Sequence, residues 1–137
     1  MVRWILFSGG RSGIWEGLGL LLLRLVFAGS MLLSHGWGKL LTFQEKVGMF
    51  PDPLGVGSRL SLTLTVMAEF GCAALVVLGL ATRVALVPLV ITMGVAFFLI
   101  HGTDPWAKKE LAALYGAGFL SLWFLGAGRY SIDSKLY

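Results

Sequence analysis

At 137 residues, 57% of them hydrophobic and only 13% charged, with a mean hydropathy of +0.84, the chain reads as an integral membrane protein and not a soluble domain. About four spans with short connections exhaust this length, which leaves no room within it for an extramembrane catalytic domain. The net charge of +4 comes from Arg and Lys residues set singly at the ends of apolar runs, a pattern of topology and headgroup contact that excludes nucleic acid as a partner, and the single cysteine, Cys72, excludes a stand-alone thiol oxidase built on a CxxC pair.

Residues 1–14 carry Arg3, Arg11 and an apolar patch from Trp4 to Phe7 and read as an interfacial lead. The run that follows is too long for a signal peptide and is flanked for spanning. The first span covers about 15–41. Between Glu16 and His35 the only charge is Arg24, in a stretch whose helical length of about 27 Å crosses a bilayer core. A charge at that depth costs roughly 3 kcal/mol or more, so it needs protein or water around it and a partner. His35 and Lys39 are four residues apart, and Arg24 is eleven before His35, so at about 100° per residue the three share one stripe.

Residues 42–58, with Pro51, Asp52, Pro53, Gly55 and Gly57, form the first loop. The second span, about 59–81, has one charge near its centre, Glu69, which antiparallel packing sets at the depth of Arg24 and predicts as its ion-pair partner. A tight turn at Gly79–Arg83 leads to a third, charge-free span at about 84–101, with Pro88 near its first turn. Lys108, Lys109 and Glu110 open the fourth span, about 109–128, where Ala112 and Gly116, and Ala113 and Ala117, are small residues at helix-packing spacing. Residues 129–137 make a short polar tail. The fold class expected is an all-α membrane protein, a four-helix transmembrane bundle.

Trp15, Trp123 and Tyr130 fall toward one interface and Trp37 and Trp106 toward the other, as an aromatic belt requires. The first and third spans both end in His-Gly followed by a lysine, a short echo consistent with two parallel hairpins. Arg3, Arg11, Arg83, Arg129 and Lys135 lie on one side and Lys39, Lys46, Arg59, Lys108 and Lys109 on the other. Setting aside Lys39, Lys108 and Lys109 as neighbours of the histidines places both termini in the cytoplasm.

Chemistry is expected from a few polar groups. Arg24 with Glu69 binds an anion or relays protons, or else fixes which helix packs on which. His35 and His101 end spans running the same way and so meet at one face, as quinone or anion contacts, as proton carriers, or as interfacial caps. Haem is disfavoured because both precede glycine at helix ends. Lys109 joins the ligand contacts or anchors the interface. Cys72, three residues after Glu69, approaches the same site or serves as a small buried hydrophobe. The candidate catalytic residues are His35 and Glu69, and the ligand contacts are Arg24, Lys39, His101 and Lys109, with no metal.

Leu-Arg-Leu-Val before His-Gly-Trp-Gly-Lys-Leu, the Glu69–Arg83 stretch ending Gly-Leu-Ala-Thr-Arg, and Lys-Glu-Leu-Ala-Ala-Leu-Tyr running to Gly-Ala-Gly-Arg-Tyr-Ser-Ile-Asp resemble the DoxX family over about residues 15–133. The resemblance implies a small four-span protein of the cell (inner) membrane. Some members are similar to subunits of a thiosulfate:quinone oxidoreductase, others belong to membrane complexes handling thiol and oxidative stress, and distant eukaryotic relatives act as cargo receptors or assembly chaperones. Its recurring polar positions fall on Arg24, His35, Lys39, Glu69, Arg83, Lys109, Glu110, Tyr115 and Arg129. The leading expectation is a subunit of a redox complex linking small sulfur compounds to quinone, with quinone as cofactor and the bilayer plus a protein partner or a second copy as partners. The alternative is a non-enzymatic membrane anchor or assembly protein; a small-solute transporter ranks third.

Overall fold

The computed structural model describes residues 12–136, and these are helical apart from short connections. The expected interfacial lead therefore falls, with Arg3 and Arg11, outside the described residues except for its last three positions. Six helices follow in order: α1 (Ile14–Leu41), the single turn α2 (Phe43–Lys46), α3 (Ser58–Leu78), α4 (Thr82–Ile100), α5 (Trp106–Leu125) and the short α6 (Ile132–Leu136). α1, α3 and α4 are long and apolar enough to cross a membrane. α5 has 20 residues, but its first turns carry Lys108, Lys109 and Glu110.

The long helices alternate in direction and close into a ring, α1 beside α3, α3 beside α4, α4 beside α5, and α5 back against α1. The interior holds Ala28, Met31, Val76, Leu86, Leu89, Phe119 and Leu122. The outside is apolar as well. Trp15, Leu33 and Phe98 are 85%, 71% and 73% exposed, a distribution that water would penalise and hydrocarbon would accept.

Helix ends follow local chemistry. Gly79 ends α3 in the left-handed region, at φ +71°, and the N–H groups of Gly79 and Leu80 return to the carbonyls of Val76 and Leu75, the paired closure that glycine permits. Ala81, also left-handed at φ +48°, opens α4, where the buried Asp133 carboxylate accepts from the N–H groups of Ala81 and Thr82 at 2.7 and 3.0 Å. The tail is thus a structural element, and its aspartate caps the third long helix.

Three of the long helices contain wide π turns: Arg24–Ala28 and Met31–Gly36 in α1, Met67–Cys72 in α3 and Ala96–Ile100 in α4. Each one carries more residues per turn than α geometry. Arg24 lies in the interior with Ala28 and Met31, and His35 and Lys39 continue that inward side of α1 at the cavity.

Candidate functional site

The register of α1 against α3 is fixed by a glycine. A Cβ on Gly36 would collide with the Glu69 carbonyl and the Phe70 nitrogen, so only a glycine lets the two backbones approach this closely. One turn further along α1, the Lys39 ammonium meets Glu69 Oε2 at 2.5 Å. Glu69 is buried and Lys39 partly so. The expected Arg24–Glu69 pair does not form. Opposite Arg24 stands the C-terminal end of α3, at Val76 and Val77, seven and eight residues or roughly 11 Å of helix beyond Glu69.

Arg24, 2% exposed, is instead held in a cage of carbonyls. Its Nε donates to Val76 O at 3.0 Å and Nη2 to Val77 O at 2.9 Å, while Nη1 donates to Ala127 O at 2.7 Å and Tyr130 O at 2.9 Å. The guanidinium thereby bonds Val77 O and adds a second donor to Val76 O, which the Gly79 N–H already reaches, and it binds the tail to α1. Arg83 does the same for the end of α5, donating to the carbonyls of Trp123 and Phe124. Asp133 supplies charge opposite both arginines. This cluster sits at the end of the bundle that carries the tail, apart from the other polar groups.

At the opposite end lies a cavity of about 360 Å³. Its polar lining comprises His35, Lys39, Glu69, His101, Lys108 and Tyr115, with serine and threonine hydroxyls, and its remaining walls are apolar. Phe50, Pro51, Pro53 and Leu54 of the first loop form its roof. The loop is fastened by Asp52, whose carboxylate accepts from the N–H groups of Val56 and Gly57 and from the Ser61 hydroxyl at 3.0, 2.7 and 2.8 Å. Those bonds, led by the one from Gly57, hold the Asp52 carboxyl below the usual carboxylate range.

His35 and His101 both reach this cavity, by different routes. His35 lies inside α1, not at its end, and its ring stands edge-on to Tyr115 with centroids 5.6 Å apart. His101 follows the last turn of α4, where its Nδ1 pairs with Asp104 Oδ2 at 2.8 Å. A carboxylate there puts a proton on Nδ1 and leaves Nε2 for another partner. The same bond, with Lys108 and Lys109 nearby, lowers the Asp104 pKa.

Of the other expected contacts, Arg24 is spent on the fold. Lys109 is not a wall of the cavity: its ammonium lies 4.6 Å from the Phe97 ring centre and donates to Gly102 O at 3.4 Å, while Lys108 lines the cavity. Cys72 packs against the apolar core and is likewise no cavity wall. Tyr115 is one of the polar positions that the family resemblance marks, outside the expected catalytic and ligand contacts. It becomes a site residue because it is stacked on Phe119 one turn along and faces the same space as His35.

The family model of DoxX matches residues 19–102, a segment that contains Arg24, His35, Lys39, Glu69 and His101. An uncharacterized protein of Haemophilus influenzae is 35% identical over 122 residues, covering 84% of this chain and 88% of its own. An uncharacterized membrane protein of Mycobacterium tuberculosis is 35% identical over 136 residues, covering 81% of this chain and 77% of its own. No solved structure matches the chain.

Proposed function

The chain belongs to the DoxX family, and from that membership we propose that it is the membrane subunit of a redox complex that links a small sulfur compound, thiosulfate or a thiol, to a quinone held in the cavity. The observation that carries this reading is the buried Lys39–Glu69 pair in the wall of an otherwise largely apolar cavity. We further propose that α5 crosses the inner membrane beside the other three long helices, and that both termini are cytoplasmic.

The donor set suits a flat ring bearing two carbonyl oxygens. Lys39 has three N–H bonds and spends one on Glu69, so it retains donors for an oxygen acceptor. His35 and Tyr115 offer further donors from the adjoining wall, and the apolar side chains exclude water from the ring. When bound, a quinone supplies a two-electron, two-proton couple. Glu69 and Lys39 share a proton-bearing contact inside the wall, and His101, held by Asp104 near the surface, connects that interior to water. Tyr115 positions His35 by its ring edge. Electrons from the sulfur donor arrive through a partner protein.

The test is a fluorescence titration, since Trp37 packs on Phe70, next to Glu69, with ring centroids 5.9 Å apart. A benzoquinone added to the purified protein is expected to quench saturably, and Lys39→Met to weaken binding about tenfold or more. Linear quenching, identical in the variant, counts against the reading. The second reading, a non-enzymatic anchor, draws support from the use of Arg24, Arg83 and Asp133 for the fold alone. It gains if a soluble protein copurifies stoichiometrically while no quinone binds.

A further inference from the structure

The cavity is not sealed on its lipid side. α3 and α4 pack together through Met67–Leu78 and Thr82–Val95, whereas the first half of α3, Ser58–Val66, has no comparable packing against α4. The helices diverge there, and the cavity lies between them. Two of its wall residues, Leu64 on α3 and Ile91 on α4, are also 50% and 59% exposed on the outside of the bundle. A side chain that lines an internal space and the outer surface at once marks an opening.

The depth of this opening says which solvent it meets. Leu64 is six residues from the start of α3 at Ser58, or roughly 9 Å of helix, inside the hydrocarbon layer of a membrane about 30 Å thick, and Ile91 lies deeper, nine residues before the end of α4 at Ile100. The α3–α4 hairpin turns at Gly79–Ala81, so Ile91 is level with Glu69, at the inner edge of the gap where the packed stretch begins. Thr65 and Thr92, also in the cavity wall, flank the same level. At the outer face the opening is apolar, and immediately behind it are the carboxylate and ammonium groups.

We propose that the gap between α3 and α4, framed by Leu64 and Ile91, is a lateral portal through which an amphiphile dissolved in the bilayer enters, its polar head meeting Lys39 and Glu69 while its hydrocarbon tail remains among the lipid chains. This deepens the quinone reading and rests on it: the ligand class becomes tailed, membrane-dissolved quinones, as opposed to water-soluble ring compounds arriving past the loop roof. An ion pair bonded at the inner end of an apolar slot suits a molecule with one polar end. Leu64 and Ile91 are then specificity-determining residues that contact the tail.

The test uses the full chain in phosphatidylcholine vesicles and two probes, a benzoquinone with a long alkyl tail and its tail-free analogue, with association followed by tryptophan quenching. The wild type is expected to bind both, the tailed one faster. Ile91→Trp, a bulky change at a lipid-exposed position, is expected to lower the ratio of tailed to tail-free association rates about tenfold, and Leu64→Trp on the facing wall to do the same. An unchanged ratio in both variants overturns the portal while the quinone reading stands. Equal slowing of both probes overturns it too, because the added bulk then acts on the cavity and not on the access route. Absence of saturable binding by either probe in the wild type overturns the quinone reading and the portal with it.

Discussion

Lys39 and Glu69 show how one residue's worth depends on what is left behind when it is removed. Lys39→Met strands a buried carboxylate and is expected to destabilise the protein by up to about 3 kcal/mol in detergent unfolding, less than a fully buried pair because Lys39 keeps some contact with water. The double variant Lys39→Met with Glu69→Gln carries no stranded charge. It is expected to regain most of that stability and still fail to bind quinone, a combination that separates a site from a packing device. Asp52 makes a pH-dependent contribution. Its folded pKa lies below the ordinary carboxylate value of about 4, so its bonds stabilise the loop fully above that value and lose their effect as pH falls through the lowered one. The wild-type melting temperature is expected to fall on acidification from about pH 5 to about pH 3 more steeply than that of Asp52→Asn; parallel curves would remove Asp52 from this role.

At the scale of the helices, the Gly36 contact decides which polar groups meet. Gly36→Val places atoms against the backbone of Glu69 and Phe70, which cannot rotate away, so α1 and α3 must separate. The variant is expected to unfold at markedly lower temperature and to lose quinone quenching; a melting temperature and affinity like the wild type's would show that the close approach is dispensable. This contact also explains what the sequence conceals. The long apolar runs announce α1, α3 and α4 because length and hydropathy are local properties, and His35, Lys39 and His101 stand out as polar groups near one face for the same reason. The partner of Arg24 is not local. It depends on interhelical register, which sets Arg24 against the carbonyls of Val76 and Val77, seven and eight residues beyond Glu69. Asp133 was hidden likewise, in a tail that reads as short and polar.

Over the whole molecule, polar groups divide between two ends with different tasks. One end joins α1, α3, α4 and the tail through Arg24, Arg83 and Asp133 and is spent on stability; the other leaves His35, Lys39, Glu69 and His101 around a cavity. Removing residues 127–137 takes away two of the carbonyls that receive Arg24 and the cap on α4. Such a truncation is expected to be cleared from the membrane or to aggregate on extraction, and a stable, monodisperse product would contradict the clamp. If α5 spans with the other three, labels at the two termini are accessible from the same side of the membrane; labels on opposite sides would return the count to three. The most direct test of the site is lipid extraction and mass spectrometry of protein purified in mild detergent, wild type beside Lys39→Met. Quinone carried by the wild type at near one per chain and lost from the folded variant is the expected result. Wild-type protein that is folded but carries no quinone, or carries the same amount as the variant, would contradict a quinone site at Lys39 and Glu69.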